Sequence, residues 1–455
     1  MGVALVFLVA LAAMIPTFQA NIGEYDEYWQ NKAKEAKKAA AETFNPNPEE
    51  VINHLNKHVS LSLTGTNGTR RNLGNDAGCL ATNPIDRCWR CQPDWMQNRK
   101  KLADCALGFG HKAIGGKLGE FYVVTDNSDD SLTDPKPGTL RHAAIQPGPL
   151  WIIFGSSMNI KLQQELLMTS DKTIDARGFN VHIAHGSSIT IQYVQNIIIH
   201  GLHIHDIVSG AGGMIIDSVG HVGVRTRSDG DGISIFGASN IWIDHVSLSN
   251  CADGIIDAIE GSTGITISNS HFTRHNEVML FGASDAYSGD AILQITVAFN
   301  HFGQGLVQRM PRVRWGFVHV VNNDYTHWLM YAIGGSTHPT IISQGNRFIA
   351  PPNAFAKECS VSRLALNCSE LIDCILVLVK VTKRDYAEQS EWMNWVWRSE
   401  GDVMLNGAFF VESGSPLDAA KLSSTQDMLP SKPGSLVPRL TRFTGPLDCK
   451  PNQPC

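Results

Sequence analysis

The sequence has 455 residues, of which 43% are hydrophobic, and a formal net charge of −6 at pH 7. This length allows two or three ordinary domains, or one elongated repeat domain with additions. The mean hydropathy of −0.09 excludes a multispanning membrane protein. Binding to phosphates requires a dense basic face, so the net negative charge argues against nucleic acid as the partner.

The first residues have the pattern of a secretory signal peptide. The apolar run from Val3 to Ile15 is short for a membrane span, and it is followed by Pro16 and the small residue Ala20. We therefore predict a signal peptide over residues 1–20 and a secreted protein with no membrane segment after its removal. A single membrane anchor is the alternative.

The cysteine content also fits an oxidising compartment. The chain has ten cysteines, and such a number in a secreted chain favours disulfides. Six of them form two groups, near residue 90 and at the end of the chain: Cys79, Cys88, Cys91, Cys105, Cys449 and Cys455. Zinc binding by Cys88 and Cys91 is the alternative to disulfides. Glycosylation sequons occur at Asn67 and Asn367.

Residues 21–60 are predicted to form a helical extension. Two apolar stripes at helical spacing flank the helix-stopping run Asn45-Pro46-Asn47-Pro48. The stripes consist of Tyr25, Trp29, Ala33, Ala36 and Ala40 in the first helix, and of Val51, Leu55 and Val59 in the second. A polar, Gly-rich linker is predicted over residues 61–78.

From residue 117 the sequence repeats short β-branched runs. Asn196-Ile197-Ile198-Ile199, Asn240-Ile241-Trp242-Ile243 and Gly264-Ile265-Thr266-Ile267 are three examples. A period of roughly 22 to 24 residues with such short strands predicts a parallel β-helix, because single coils bury their inward side chains only by stacking. We assign this domain to residues 79–445, with a tail over 446–455. The first apolar residues of the runs are Ile174, Ile197, Val219, Ile241, Ile265, Ile295, Phe317 and Ile341.

Four aspartates in two successive repeats predict a calcium site. Asp229 and Asp231 precede one strand, and Asp253 and Asp257 lie about one repeat later. The even spacing within each pair lets both carboxylates face the same way on an extended chain. Clustered carboxylates repel one another unless a cation intervenes, and oxygen ligands of irregular geometry favour Ca²⁺. A solvated acidic bend is the alternative.

A basic segment follows two repeats further on. Arg309, Arg312 and Arg314 lie within six residues around the rigid Pro311. Planar guanidinium groups recognise carboxylates through paired hydrogen bonds, so we expect Arg312 and Arg314 to bind an acidic substrate. Together with Ca²⁺ these arginines describe a polyanion site on an acidic protein. A structural row of salt bridges is the alternative.

Ordered motifs resemble the plant pectate lyases of polysaccharide lyase family 1. They are Trp242-Ile243-Asp244-His245, Ser249-Asn250-Cys251-Ala252-Asp253-Gly254, Arg309-Met310-Pro311-x-x-Arg314 and Val321-Asn322-Asn323-Asp324-Tyr325. The resemblance covers roughly residues 80 to 445. Residues 24–60 are similar to the amino-terminal extension of the flower- and pollen-type members, and the pollen allergens of ragweed and cedar share the catalytic domain.

The resemblance implies an all-β, right-handed parallel β-helix and a particular set of site residues. Ca²⁺ is expected on the carboxylates of Asp229, Asp231, Asp253 and Asp257. Arg309 matches the catalytic base, and Arg314 matches the arginine that binds a substrate carboxylate. A guanidinium normally stays protonated at physiological pH, so the base role of Arg309 comes from the resemblance alone.

The implied activity is calcium-dependent endo-cleavage of polygalacturonate by β-elimination, in the cell wall and by a monomer. A polygalacturonase, which needs two carboxylates for hydrolysis, is one alternative. A non-catalytic protein that binds the cell wall is another. Asp244 and His245 match a motif that looks structural in the family, so we do not place them in the catalytic machinery.

The chain departs from the family pattern in three places. Residues 359–380 form an insertion with three cysteines and an apolar run, and we interpret it as a retained intron or a mispredicted splice junction. Ala283 stands where many relatives have histidine. Glu277 stands near a substrate-binding lysine of bacterial members, which puts that contact in doubt.

Overall fold

The computed structural model describes residues 26–64, 79–352, 358–359, 377–414 and 429–455. The predicted signal peptide, both sequons and most of the segments 61–78 and 359–380 lie outside these residues. Within them, no helix is long and apolar enough to cross a membrane.

The β-branched runs form stacked coils whose strands build three long parallel sheets, as the repeat predicts. The ten-strand sheet contains Glu120–Val124, Leu150–Phe154, Lys172–Asp175, Gln195–His200, Ser239–Asp244, Thr263–Ser268, Gln294–Ala298, Phe317–Val321, Thr340–Gln344 and Trp397–Glu400. The eight-strand sheet contains Leu166–Leu167, Ile189–Gln192, Ile233–Phe236, Ile256–Ile259, Met279–Phe281, Arg312–Arg314, Ile333–Ser336 and Thr382–Arg384. The nine-strand sheet contains Met158–Ile160, Val181–Ala184, His203–His205, Ser247–Ser249, His271–Thr273, His301–Phe302, Asp324–Tyr325, Arg347–Ile349 and Val403–Leu405.

Register in the ten-strand sheet explains the recurring Asn-Ile and Gly-Ile pairs. Ile241 pairs with Ile197 on one side and with Ile265 on the other, and all three side chains are fully buried. Each buried isoleucine contributes about 1.5–3 kcal/mol relative to an exposed one. The residues before them have positive φ, at 65° for Asn196, 56° for Asn240 and 67° for Gly264. Asparagine and glycine adopt this left-handed conformation most readily, so they recur where each coil turns into the sheet.

Inside the stack, polar and aromatic side chains form ladders along the axis. Asn323 Nδ2 donates to the Val297 carbonyl at 2.8 Å and to Asn346 Oδ1 at 3.0 Å. Its Oδ1 accepts from the backbone N–H of Asn300 at 2.9 Å. A parallel stack of rings runs beside this ladder, through Phe272, Phe302, Tyr325 and Phe348.

One predicted repeat position is wrong. Val219 is exposed in the turn of an antiparallel hairpin between Gly213–Ser218 and His221–Arg225, and it belongs to none of the three long sheets. The hairpin is an insertion between the strands His203–His205 and Ile233–Phe236, and its apolar Val219 mimics the start of a coil. Two further positions are displaced in register, because Ile174 pairs with Ile199 and Phe317 pairs with Gln294.

Shorter elements lie at the turns and ends of the solenoid. A pair of parallel strands, His275–Glu277 and Leu306–Gln308, and a group of three strands, Glu358–Cys359, Val377–Lys380 and Ala408–Phe409, complete the strands of the described residues. Val379 is buried in the core, so the end of the 359–380 segment is part of the coil stack. The short α-helices are Pro84–Trp89, Leu140–Ala144, Gln389–Trp392 and Val437–Leu440, and the 3-10 helices are Arg99–Asp104, Phe109–Lys112, Ser288–Ile292 and Gly434–Leu436.

The predicted extension forms two helices, Glu27–Thr43 and Pro48–Thr64, that pack on the solenoid. Trp29 is buried against Leu167 and Ile215, and the apolar stripe of the second helix is buried too. Asn56 of the second helix donates to Gln344 at 3.0 Å. The second helix ends at Thr64, within the segment predicted as a linker, because Leu63 still packs on the apolar cluster around Trp89.

Disulfides join Cys79 to Cys91, Cys88 to Cys105 and Cys449 to Cys455. Cys88 and Cys91 therefore bond to different partners, and the alternative of a zinc site on this pair is wrong. The free thiol of Cys251 is half-buried in the coil that follows the strand Ser247–Ser249.

We expect Asn323→Ala to lower the free energy of unfolding by about 3 kcal/mol, because it leaves several buried ladder groups unpaired. Urea denaturation measures the change. The control is Asn159→Ala, whose side chain is exposed on the strand Met158–Ile160, and it should stay within about 0.5 kcal/mol of the wild type. Equal effects of the two substitutions would contradict the ladder's role in stability.

Candidate active site

The candidate site lies on the outward face of the eight-strand sheet. Ser234, Asp257, Leu280 and Arg312 occupy the same register position in four successive strands. Because neighbouring strands are about 4.8 Å apart, Asp257 and Arg312 lie roughly 10 Å from each other along this row. The structure thus brings the acidic and basic motifs, which are separate in sequence, onto one face.

The four predicted aspartates line one cavity of about 190 Å³. Asp229 and Asp253 are exposed at its mouth, whereas Asp231 is buried. Asp231 accepts hydrogen bonds from the Ser234 hydroxyl at 2.7 Å and the Gly254 N–H at 2.9 Å. A Cβ atom on Gly254 would lie 2.3 Å from Asp257 Oδ1, so the Asp257 carboxylate needs a glycine here.

Burial and mutual repulsion oppose ionisation of these carboxylates. Burial, followed by the charges of Asp253 and Asp229, raises the pKa of Asp231 to about 7. Burial and the charges of Asp231 and Asp253 raise the pKa of Asp257 well above its ordinary value. The pKa of Asp229 is also raised, because its carboxyl group is partly buried by the cavity wall although the residue as a whole is exposed, and because Asp253 lies nearby. The ionised cluster therefore requires a positive charge from outside the aspartates.

The donor chemistry of the cavity fits a hard divalent cation. All four side chains offer carboxylate oxygens, which suit Ca²⁺ in irregular geometry. In the part of the chain that the structure describes, no three of these aspartates have carboxylate oxygens that all lie within 4.8 Å of one another. Three other side chains do have ligand atoms this close together, and they are His185, His205 and Asp206.

A buried ion pair forms one wall of the cavity, and the sequence did not reveal it. Arg225, at the end of the hairpin, donates to both carboxylate oxygens of Glu165 and, at 2.6 Å, to Gln192. Thr190 donates to the same Glu165 at 2.7 Å. Thr190 shares the register position of Ser234 and Asp257, so the repeat could have identified it. Arg225 and Glu165 are 60 residues apart and carry no such signal.

The three predicted arginines differ in depth and in partners. Arg309 pairs with Glu277 through Nη2 and Oε1 at 2.7 Å. Arg312 is buried, with Nε 3.3 Å from Asp385 Oδ2. Arg314 donates from Nε to Asp285 at 2.9 Å and from Nη1 to the Gly282 carbonyl at 2.8 Å.

Some guanidinium donors of these arginines lack a hydrogen-bond partner. Within the described ranges, Arg309 Nε and Arg312 Nη2 are buried and have no hydrogen-bond partner. Burial, and then the neighbouring charges of Arg312 and Arg309, lower the pKa of Arg314. An incoming carboxylate would relieve both the unpaired donors and the repulsion among the arginines.

Asp244 and His245 lie away from this face, in a buried network on the ten-strand sheet. Asp244 accepts from Ser268 at 2.6 Å and Asn269 at 2.9 Å. His245 lies 2.7 Å from an Asp86 oxygen and 2.8 Å from the Gly445 carbonyl. His245 therefore ties both ends of the domain to the coil stack, and neither Asp244 nor His245 lines the site.

The site places a pocket of carboxylates beside a row of arginines on the outward face of a parallel β-helix, which suits an acidic polymer as ligand. Comparison with known proteins points to the same class of ligand. The sequence model "Pectate lyase, N terminus" matches residues 21–73, and the model "Pectate lyase" matches residues 156–367. The chain is 59% identical to "Probable pectate lyase P59" of Solanum lycopersicum, over 98% of this chain and 97% of that one. It is 62% identical to a "Pectate lyase" of Lilium longiflorum, over 96% of this chain and 95% of that one.

Among solved structures, the major allergen from cedar pollen is 44% identical, with a TM-score of 0.72 over 80% of this chain and 99% of that chain. The fold is thus the right-handed parallel β-helix that the resemblance implied. The chain belongs to the plant pectate lyases, and it is a pectate lyase enzyme that cleaves pectate.

Without divalent ions, we expect the free energy of unfolding to fall as the pH rises from about 4 to about 7. Asp231 has a pKa of about 7 in the folded protein and an ordinary value of 3.8 when unfolded, so the folded state binds more protons in this window. Asp231→Asn should remove this part of the slope and stabilise the metal-free protein at pH 7 by up to about 4 kcal/mol. Thermal unfolding at several pH values measures it. The exposed Asp130→Asn is the control, and a wild-type slope in Asp231→Asn would contradict the expectation.

Proposed function

We propose that this protein cleaves polygalacturonate by calcium-dependent β-elimination and releases 4,5-unsaturated oligogalacturonides. The observation that carries the proposal is the row on the eight-strand sheet, where aspartates that resist ionisation lie two strands from a cluster of arginines. Such a row suits a chain of sugar carboxylates that shares its negative charge with a bound cation. Membership of the pectate lyase family supports the same substrate.

Asp229, Asp231, Asp253 and Asp257 would hold Ca²⁺ in the acidic cavity. When bound, Ca²⁺ supplies positive charge that attracts a galacturonate carboxylate and stabilises the negative charge that develops beside it. Glu165 and Arg225 hold the wall of the cavity in place behind the aspartates. Arg225 pairs with the Glu165 charge, which still adds to the repulsion at Asp229 and helps to raise the pKa of that carboxyl.

The arginines would bind and deprotonate the sugar. Arg314 and Arg312 offer N–H donors to substrate carboxylates, and Arg309, in its unprotonated form, takes the proton from C5. The C5–H electrons form the C4–C5 double bond as the C4–O bond breaks, and the departing glycosidic oxygen takes a proton from water. Glu277 holds Arg309 by an ion pair until the substrate arrives.

We also propose secretion to the plant cell wall and a monomeric state. The three disulfides of the described residues support an oxidising compartment, since such bonds are rare in reducing ones. The predicted signal peptide points to the same destination.

The experiment that tests the reaction is ultraviolet absorbance during incubation with polygalacturonate, with Ca²⁺ and then with a chelator. We expect a rise from unsaturated products that the chelator abolishes, and a loss of at least about 1,000-fold in turnover for Arg309→Ala. The control is Arg442→Ala, in the carboxyl-terminal segment, which should keep wild-type turnover. Shortened chains without ultraviolet absorbance would indicate hydrolysis and overturn the proposal, as would a rise that is indifferent to the chelator.

Glu277→Gln should lower the KM for polygalacturonate severalfold at low salt. The substitution removes a negative charge 2.7 Å from Arg309, on a face that receives a polyanion, and the effect should shrink as salt screens the charge. Steady-state kinetics at two ionic strengths measure it. The control is Glu42→Gln on the first extension helix, whose side chain is exposed and pairs only loosely with Lys38. A KM that does not change with Glu277→Gln would place Glu277 outside the substrate path.

A further inference from the structure

A cluster of histidines lies on the nine-strand sheet, outside the acidic cavity. His182 pairs in register with His203 in the next strand, and Ala184 pairs with His205. Just beyond these strands, His185 donates its backbone N–H to the Asp206 carbonyl at 3.1 Å. Stacking of two coils therefore brings His185 of one coil beside His205 and Asp206 of the next.

A chain of hydrogen bonds connects the imidazoles of this cluster. His182 Nε2 lies 3.1 Å from Asn180 Oδ1, and His182 Nδ1 lies 2.9 Å from His205 Nε2. In the tautomer that carries its proton on Nε2, His205 donates to His182 and has a lone pair at Nδ1 for a metal ion.

His205 Nδ1 faces the carboxylate of Asp206. It lies 2.7 Å from Asp206 Oδ2, a hydrogen-bond distance, and a divalent ion that displaces the shared proton would have both atoms as ligands. Asn250 Nδ2 donates to the other carboxylate oxygen, Asp206 Oδ1, at 2.5 Å and orients the side chain.

A third donor completes the set. His185 Nδ1 lies 3.9 Å from Asp206 Oδ2, and ligand atoms of His185, His205 and Asp206 all lie within 4.8 Å of one another. Ligands about 2.0–2.2 Å from a tetrahedral Zn²⁺ ion are roughly 3.3 Å apart. To bind one ion, the exposed His185 ring would move closer to Asp206, and the 2.7 Å contact between His205 and Asp206 would widen. The other ring nitrogen of His205 contacts His182 at 2.9 Å, and a hydrogen bond at that nitrogen orients a metal-binding imidazole.

We propose that His185, His205 and Asp206 form a site for a divalent transition-metal ion, with Zn²⁺ as the probe and water at the remaining position. Two imidazoles and one carboxylate suit such an ion, whereas Ca²⁺ prefers oxygen ligands only. The site is separate from the acidic cavity and does not depend on the proposed reaction. A bound ion joins two consecutive coils, so it stabilises the folded protein.

The test is isothermal titration calorimetry of Zn²⁺ into the full-length, chelator-treated protein in saturating Ca²⁺. We expect one Zn²⁺ per chain on this site, a rise in Tm, and at least tenfold weaker binding in His185→Ala and in His205→Ala. His182→Ala, which loses only the partner of His205, should weaken binding by about 10- to 100-fold. His327→Ala is the control and should bind as the wild type does.

Wild-type affinity in both His185→Ala and His205→Ala would overturn the proposal, because the ion would then lie on other groups. Displacement of Zn²⁺ by Ca²⁺ would overturn it as well. If a variant fails to fold, electron paramagnetic resonance of Cu²⁺ on the wild type decides. Coupling to two imidazole nitrogens supports the site, and a spectrum of oxygen ligands alone rejects it.

Discussion

The structure depends on one constraint: strands in each coil pair in register with the coils before and after. Equivalent positions therefore repeat about every 4.8 Å along the axis. Inside the stack this places Ile241 on Ile197 and Asn323 on Asn346, which gives the core its ladders. Outside the stack the same register places Asp257 in line with Arg312. In-register pairing therefore positions both the buried ladders of the core and the residues of the candidate site.

In-register pairing also sets the positions of the charged residues on the outward face of the eight-strand sheet. Leu280 lies between Asp257 and Arg312, so the acidic and basic groups are close without neutralising each other directly. The aspartates repel one another, and burial raises the pKa of Asp231 and Asp257. The pKa of Arg314 is lowered by burial and then by the charges of Arg312 and Arg309, so the arginines also repel one another. Each cluster is therefore poised for a partner of opposite charge, a cation on one side and a carboxylate on the other.

Features that recur with the period of the coils were predictable from sequence. Side-chain pairs between positions that are not equivalent in the repeat were not. The positions Ile197, Ile241 and Ile265, the helical extension and the proximity of the aspartates to the arginines all follow from spacing. Val219 was wrong because a hairpin of similar apolar character interrupts the period. Pairs such as Arg225 with Glu165, or Arg309 with Glu277, depend on side-chain reach between coils, which no local pattern encodes. The cluster at His205 does follow the repeat, because His182 pairs in register with His203 and Ala184 with His205, so the spacing of these strands could have identified it.

The hairpin also shows how this architecture tolerates added sequence. It lies in a connection from the nine-strand sheet to the eight-strand sheet, and the segment between Ile349 and Thr382 occupies another connection of the same kind. Neither addition disturbs the register of the strands around it. The strands that follow these two connections, at Ile233 and Thr382, are five strand spacings apart, or about 24 Å. The points in the chain at which these two connections occur therefore decide how many strands of the eight-strand sheet separate them.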